Sequence, residues 1–464
     1  MNRSLFFLLT SVPELLYFCF KYLSIQFFLP RVSASLLYIR HIAAEIIIYD
    51  KDKDQKTLLG LQSNHLSILF IGAPYMRNMQ LFLVPDYYPY FHCKMGSCRH
   101  TCCENWPISI SMKDYFHLVG IKCSPVLRSS IDKALHIIPY PSESVYAEIS
   151  PGYDRMCPLR IEDGRCGLQA ELGEDALAQV CRLYPRGVRI GESNECSCAN
   201  SCEAVAELFL NHREPLRFIN FPLELDLPDF HKPDNTFPTA GHGQEIRLHY
   251  IRIMQNRSLC IPDRLMTLYT AIQNMEKAVN NNDIQRIIEL LSQEPDLFKS
   301  TYDKPTQEQL DKGLGIAHSL LKKVDERSRS VRTFGEETLK WFDRGKNSID
   351  RYQIAISNFE KVLPEWETVF EHLIVNHMFF EQFPYQDRPV PVEDEFLAIC
   401  AVYTLLRFLS VGWIMLHPFQ RDFVDVCSAL FRLIQHTSFD SFAADFLKQY
   451  ECCSPKQIYD LIKL

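Results

Sequence analysis

FHCKMGSCRHTCCENW, residues 91–106, spaces four thiols as Cys93-x4-Cys98-x3-Cys102-Cys103. Gly96 and Ser97 let the backbone curl between them, so several sulfurs can converge on one centre, as thiolate coordination requires. Three later pieces extend the pattern: MCPLRIEDGRCGLQAELGE at 156–174, VCRLYPRGVRI at 180–190 and ECSCANSCEAVAELF at 195–209. They add Cys157 and Cys166, each beside a turn-forming residue (Pro158, Gly167), then Cys181 and Cys202, with Cys196 and Cys198 as a further C-x-C pair. Eight thiols suffice for two tetrahedral zinc sites, or for one four-iron cluster with supporting thiols around it. Spacing alone leaves both open. Adjacent cysteines such as Cys102 and Cys103 seldom ligate one ion together, so one of that pair reads as a buried hydrophobe. The C-x3-C-x2-C spacing of radical chemistry is missing: Asn105 and Val205 occupy the third positions after Cys98-x3-Cys102 and Cys198-x3-Cys202.

The chain has 464 residues and 17 cysteines, of which 11 fall between positions 93 and 202. A secreted disulfide framework is usually a short chain with an even count, so clustered thiols in a long chain of cytosolic composition read as metal ligands. Cys19, Cys123, Cys260, Cys400, Cys427, Cys452 and Cys453 lie outside the constellation and read as small core residues. A net charge of -8 without a basic stripe excludes a dedicated nucleic-acid binder.

The expected fold is mixed and mostly α: a cysteine-rich metal-binding module with few short strands, followed by an α-helical domain. Residues 1–78 form an apolar leader interrupted by Pro13, Glu14 and Lys21, too broken for a stable membrane anchor. An upstream start chosen in error would produce such a leader, because Met76 and Met79 stand just before LFLVPDYYPYF. Residues 79–226 are the cysteine module. One helix in it should start at Ser111, capping the amide of Lys113 or Asp114. Another should start near Glu171 or Glu174, carry Leu177 and Val180 on one face, and end before Tyr184-Pro185. Residues 227–244, rich in Pro, Gly and Asp, read as a linker or long loop. Residues 245–464 turn helical, with cap residues at 280–283 and helices expected around 306–325, 335–363, 365–381, 393–416 and 419–435.

VPDYYPYFHC, GSCRHTCCENW, CPL with GRCGLQAELGE, CRLYPR, SCEAVAELFL and the later FEHLIVNHMFFEQFPYQD together resemble the flagellin lysine-N-methylase (FliB) family, with its cysteine-rich putative zinc- or iron-chelating module. The resemblance runs from about Met79 to the end. It implies a cytoplasmic protein-lysine N-methyltransferase that moves methyl from S-adenosylmethionine to flagellin lysines and needs an iron–sulfur cluster, 4Fe-4S in type, with zinc as the alternative metal. It also implies Cys93, Cys98, Cys102, Cys103, Cys157, Cys166, Cys181 and Cys202 as the metal-region thiols. The denser ECSCANSC here departs from the family's plainer stretch before its last cysteine and leaves the late ligand open.

For methyl transfer, a lysine of pKa about 10.4 must lose its proton and align with a methyl sulfonium. Tyr184 is the candidate to accept that proton or position the amine, and Arg186 to pair with the cofactor carboxylate. The structural alternative packs Tyr184 in the core and pairs Arg186 with Glu192 or Glu195. His377 and Tyr385 read as packing and helix-end residues. Gly313-Leu314-Gly315, between helical segments, lacks the strand–turn–helix context of a cofactor loop and reads as a turn or packing feature. The rival functions are a non-enzymatic zinc- or iron-chelating protein and a thiol redox protein, the latter disfavoured by the missing C-x-x-C.

Overall fold

A computed structural model describes residues 7–8, 46–50, 55–59, 79–104, 106–190, 193–225, 239, 241–299, 306–327, 331–342, 348–385 and 390–464. The expected leader and linker, Asn105 and Glu192 lie wholly or largely outside the described residues. The chain divides into two units, Met1–Arg77 and Asn78–Leu464. In the first, strands β1 (Phe7–Leu8), β2 (Ile46–Asp50) and β3 (Gln55–Leu59) pair antiparallel in that order.

The second unit is mostly helical with a few strands. Its strands are β4 (Gln80–Pro85), β5 (Ile108–Ile110), β6 (Leu135–Ile137), β7 (Ala147–Ile149), β8 (Arg186–Arg189), β9 (Glu195–Cys198) and β10 (Phe218–Leu223). They form two sheets, ordered β10-β4-β9-β8 and β5-β7-β6. The helices of the cysteine-rich part are α1 (Met112–Gly120), α2 (Pro125–Ala134), α3 (Gly167–Leu172), α4 (Gln179–Leu183) and α5 (Glu203–Asn211). Ser111 caps α1 by accepting the Asp114 amide at 3.1 Å, as its sequence predicts. The single helix expected from Glu171 is instead two. Gly173, at φ +89°, ends α3, and α4 resumes six residues later. Leu177 turns inward, while Val180 is exposed.

Beyond them run α6 (Gly243–Met254), α7 (Ile261–Asn280), α8 (Ile284–Ser292), α9 (Gln307–Arg327), α10 (Arg332–Phe342), α11 (Ser348–Val362), α12 (Trp366–Phe380), α13 (Val392–Ile414), α14 (Gln420–Gln435), α15 (Phe439–Gln449) and α16 (Pro455–Ile462). Asp283 caps α8 through the Arg286 amide at 3.0 Å, and Ile287 is buried beneath it. The helix expected over 335–363 is two helices, α10 and α11. Gly313 and Gly315 sit inside α9 rather than between helices, where α9 packs on α16 and Gln309 donates to Asp460 at 2.7 Å. Helix α13 is long and apolar enough to cross a membrane by composition, yet it is enclosed by α10, α11, α14 and α15. An apolar helix buried on every face is what a core position requires.

The unit has two apolar cores, and this division shapes the site. The larger joins Phe82 and Val84 of β4, Val188, Cys196 and Cys198 to the helices α6–α16. The smaller gathers Ile110, Leu118, Leu127, Ile131, Ile149, Leu159 and Leu168, with Cys157, Cys166 and Cys181 packed against it. Cys202 packs on the larger core.

Candidate functional site

The loop 91–104 is pinned from three directions. Glu203, buried in the first turn of α5, accepts Lys94 Nζ at 2.6 Å and the backbone amides of Arg99 and His100 at 2.8 and 3.1 Å. Arg99 forks onto Asp425 of α14, with Nε and a terminal nitrogen each 2.9 Å from Oδ1. Arg432 of α14 donates to the Thr101 carbonyl at 3.1 Å and lies over the Trp106 ring. The loop therefore runs from α5 across α14, carrying Cys93 and Cys98 beside Cys202, the residue that precedes α5.

On its other side the loop meets a tight turn between Cys157 and Cys166. The Cys157 amide donates to the Cys103 carbonyl at 2.8 Å. Within the turn, the Gly167 amide donates to Leu159 at 2.7 Å and Arg160 pairs with Cys166 as an isolated bridge. Gly96, at φ +103°, abuts the backbone of Gly164. Cys181, on α4, completes the surroundings.

The thiols separate accordingly. Cys98 lies within electrostatic reach of Cys202 and Cys93, and Cys202 within reach of Cys93. Cys157 is within reach of Cys103 and Cys166, and Cys181 within reach of Cys103, Cys166 and Cys157. Cys102 stands between the groups, facing Cys103, Cys181 and Cys202, with its Sγ 4.0 Å from that of Cys103. Burial pushes Cys98 and Cys157 each up to about 12. Cys103 moves the other way, because it accepts from Cys102 and, despite burial, from Thr101, with Arg160 and Arg432 nearby. Among the described residues, no three His, Cys, Asp or Glu side chains are drawn together tightly enough to hold one metal ion. The donor chemistry still fits thiolate coordination, since four sulfurs share one side of the loop and three share the other.

Cys196 and Cys198 are not part of this arrangement. They lie on β9, between β4 and β8, and are 1% and 0% exposed. The Cys198 amide donates to the Tyr87 hydroxyl at 3.0 Å, and that hydroxyl donates to Asn376 Oδ1 at 2.8 Å. Cys400, Cys427 and Cys452 are likewise core residues, as read from the sequence.

Tyr184 shares a hydrogen bond of 3.0 Å with Ser201, whose hydroxyl lies 2.9 Å from His436 Nε2. Trp106 stands edge-on to both rings. Burial first, then the Cys202 and Cys102 thiols, hold Tyr184 well above the ordinary phenol range. Arg186 donates from Nε to the Tyr88 hydroxyl at 3.1 Å and stacks over Phe91. It does not pair with Glu195, which is taken by Arg247 of α6 at 2.8 Å. His377 and Tyr385 are buried, at 4% and 8% exposure. Sequence reasoning missed Glu203, Arg99, Asp425 and Arg432, which order the loop. Glu203 left one signal, an acidic residue directly after a cysteine at a helix start.

Residues 247–459 match the family model described as the FliB lysine N-methylase C-terminal domain. That match covers somewhat less than half of the chain. The chain is similar to lysine-N-methylases of Salmonella choleraesuis (strain SC-B67) and Salmonella typhimurium (strain LT2), 28% identical to each over 130 residues. Those stretches cover 27% of this chain and 32% of each relative, so this chain spans about a third of their length. The flagellar biosynthetic protein FliU of Salmonella muenchen is 26% identical over 129 residues, covering 27% of this chain and 75% of FliU. No solved structure matches. The matched stretch begins within α6 and ends within α16, so it contains Arg99's partner Asp425, Arg432, His436 and Glu195's partner Arg247. Its helices thus supply the side chains that hold the thiol loop.

Proposed function

We propose that this protein is a protein-lysine N-methyltransferase, acting in the cytoplasm on lysines of flagellin with S-adenosylmethionine as methyl donor. The observation that carries this reading is the match of residues 247–459 to the FliB C-terminal domain model, in a stretch set against the thiol loop by the Arg99–Asp425 and Arg432–Thr101 contacts. The relatives' names, lysine-N-methylase and flagellar biosynthetic protein, support lysine and flagellin as the substrate classes. Free thiols at all the described cysteines favour a reducing compartment.

An iron–sulfur cluster belongs to this reading, held by Cys103, Cys157, Cys166 and Cys181, the four that share one side of the loop. A single zinc ion with bonds of about 2.3 Å needs its four sulfurs within roughly 4 Å of one another. A polynuclear cluster places its own iron and sulfide between the ligands, so it suits four thiols that share a neighbourhood without closing on one point. With one of these thiols left off the metal, the cluster would offer an iron with an open position for the amino and carboxylate groups of a co-substrate. The Cys93, Cys98 and Cys202 group lies on the loop's other side.

Tyr184, kept neutral by burial and fixed by Ser201, is suited to orient an amine rather than to take its proton. Arg186 has one nitrogen committed to Tyr88, which leaves its terminal N–H groups for a carboxylate. The test is anaerobic purification with iron, sulfide and zinc analysis, followed by transfer of labelled methyl to flagellin. Iron with sulfide and lysine labelling are expected. Stoichiometric zinc with no labelling would sink the enzymatic reading and leave the chelating-protein alternative.

A further inference from the structure

Arg432, in the last turn of α14, is a buried guanidinium without a close carboxylate. It is 5% exposed, and its Nε has no hydrogen-bond partner. One terminal nitrogen donates to the Thr101 carbonyl at 3.1 Å and reaches that of His100 at 3.4 Å. The Trp106 ring covers the group, its centre 4.8 Å from the guanidinium carbon. The carboxylate in ion-pair range is Glu104, whose Oε1 stands 3.7 Å from the other terminal nitrogen and 3.4 Å from His100 Nδ1. The first of these separations is too long for a hydrogen bond. Arg432 is thus held by neutral carbonyls and an aromatic face, and it grips the loop two residues before Cys103. The Cys103 amide in turn donates to the Thr101 hydroxyl at 3.2 Å. A second guanidinium, Arg160, sits in the turn between Cys157 and Cys166, with Nε on the Gly164 carbonyl at 3.1 Å.

A buried charge is costly unless an opposite charge completes it. Glu104 serves Arg432 only at a distance and is shared with His100. Three or four thiolates outweigh a dication, so a centre built on Cys103, Cys157, Cys166 and Cys181 is anionic with zinc or with a cluster alike. In an interior poor in water such charges act strongly on one another. We infer that Arg432 is the buried counter-cation of that centre, stabilising metal on the four cysteines and raising the centre's reduction potential. The potential rests on the iron–sulfur reading above; the role of counter-cation holds for either metal. The sign follows from charge. Reduction adds one electron to the centre, so a neighbouring guanidinium favours the reduced form and a neighbouring carboxylate the oxidised one. Glu104, next to Cys103 in the chain, acts against Arg432.

The full-length protein, purified anaerobically, is titrated with dithionite and followed by electron paramagnetic resonance. At the parent's midpoint, Arg432→Gln should lower the ratio of reduced to oxidised centre about tenfold, equivalent to about 59 mV for one electron. Glu104→Gln should raise that ratio. Arg432→Lys keeps the charge and should stay within about threefold of the parent. Opposite shifts separate charge from packing, because a packing defect does not reverse with the sign of the charge removed. A Glu104→Gln that fails to raise the ratio would overturn the assignment, and this arm stands even where Arg432→Gln does not load. So would an Arg432→Gln that loads and leaves the ratio unchanged, or an Arg432→Lys that falls as far as Arg432→Gln. Zinc without iron in the parent removes the iron–sulfur reading and not the counter-cation. Arg432→Gln should then release zinc to a chelator about tenfold faster than Arg432→Lys, and equal rates would overturn the role.

Discussion

Gly96 and Gly164 meet backbone to backbone: a β-carbon built on Gly96 would stand 2.5 Å from the Gly164 carbonyl carbon. This contact seats the loop of Cys98 and Cys103 on the turn of Cys157 and Cys166. Gly96→Ala combines a side chain at φ +103° with that overlap, and is expected to cost at least about 1 kcal/mol. Thermal melting should show the loss, and bound iron should fall with it. A variant that melts and loads like the parent would mean that the two loops are held apart from this contact.

The cysteines should divide by role. Serine at Cys103, Cys157, Cys166 or Cys181 should lower iron and sulfide content sharply. Cys196→Ala and Cys198→Ala should keep full metal content and lose only packing, about 1 kcal/mol each. Metal loss in the two core variants that exceeds their loss of folded protein would undo the assignment of β9 to the core.

Glu371 is a buried junction within the stretch 247–459. It accepts Arg264 at 2.7 Å and Arg257 at 2.9 Å, and Arg264 is 2% exposed. Glu371→Ala strands a buried guanidinium and should destabilise by about 3–5 kcal/mol. Urea unfolding measures this. A cost under about 1 kcal/mol would show that water or a rearranged partner replaces the carboxylate.

Two histidines should make the protein acid-sensitive. Burial lowers His372 to about 3 and His377 to about 4. Unfolded histidines titrate near about 6.5. Between those values the unfolded chain binds protons that the folded chain refuses. Stability is therefore complete above about pH 6.5 and falls as the pH drops toward 4 and then 3. His372→Gln keeps a donor for the Glu214 carbonyl, which His372 Nε2 meets at 2.9 Å. Its urea midpoint should depend less on pH between 7 and 5 than the parent's; an unchanged slope would remove His372 from the account.

The chain's own order of residues was enough for several features. Ser111 and Asp283 cap helices because the preference is local, a side-chain oxygen and an amide three residues on. The helical second half was legible because apolar side chains recur at helical spacing over long segments. The thiol-rich loop was legible from spacing alone, and so was its composition-based separation from the outlying core cysteines.

Contacts between distant segments decided the rest. Cys196 and Cys198, read from the sequence as a further C-x-C pair, are core residues because β9 lies between β8 and β4, the latter more than a hundred positions earlier in the chain, and packs against α12. The Arg186–Glu195 pair did not form because Arg247, on a helix beyond the linker, reaches Glu195. Glu203 reads as an ordinary first-turn acid until the loop from Lys94 to His100 folds over it and makes it a buried anchor. Spacing reports which thiols can approach along one stretch of backbone, but not which core each stretch packs on. That partition, with Cys157, Cys166 and Cys181 on the small core and Cys202 on the large one, is a property of the packed chain.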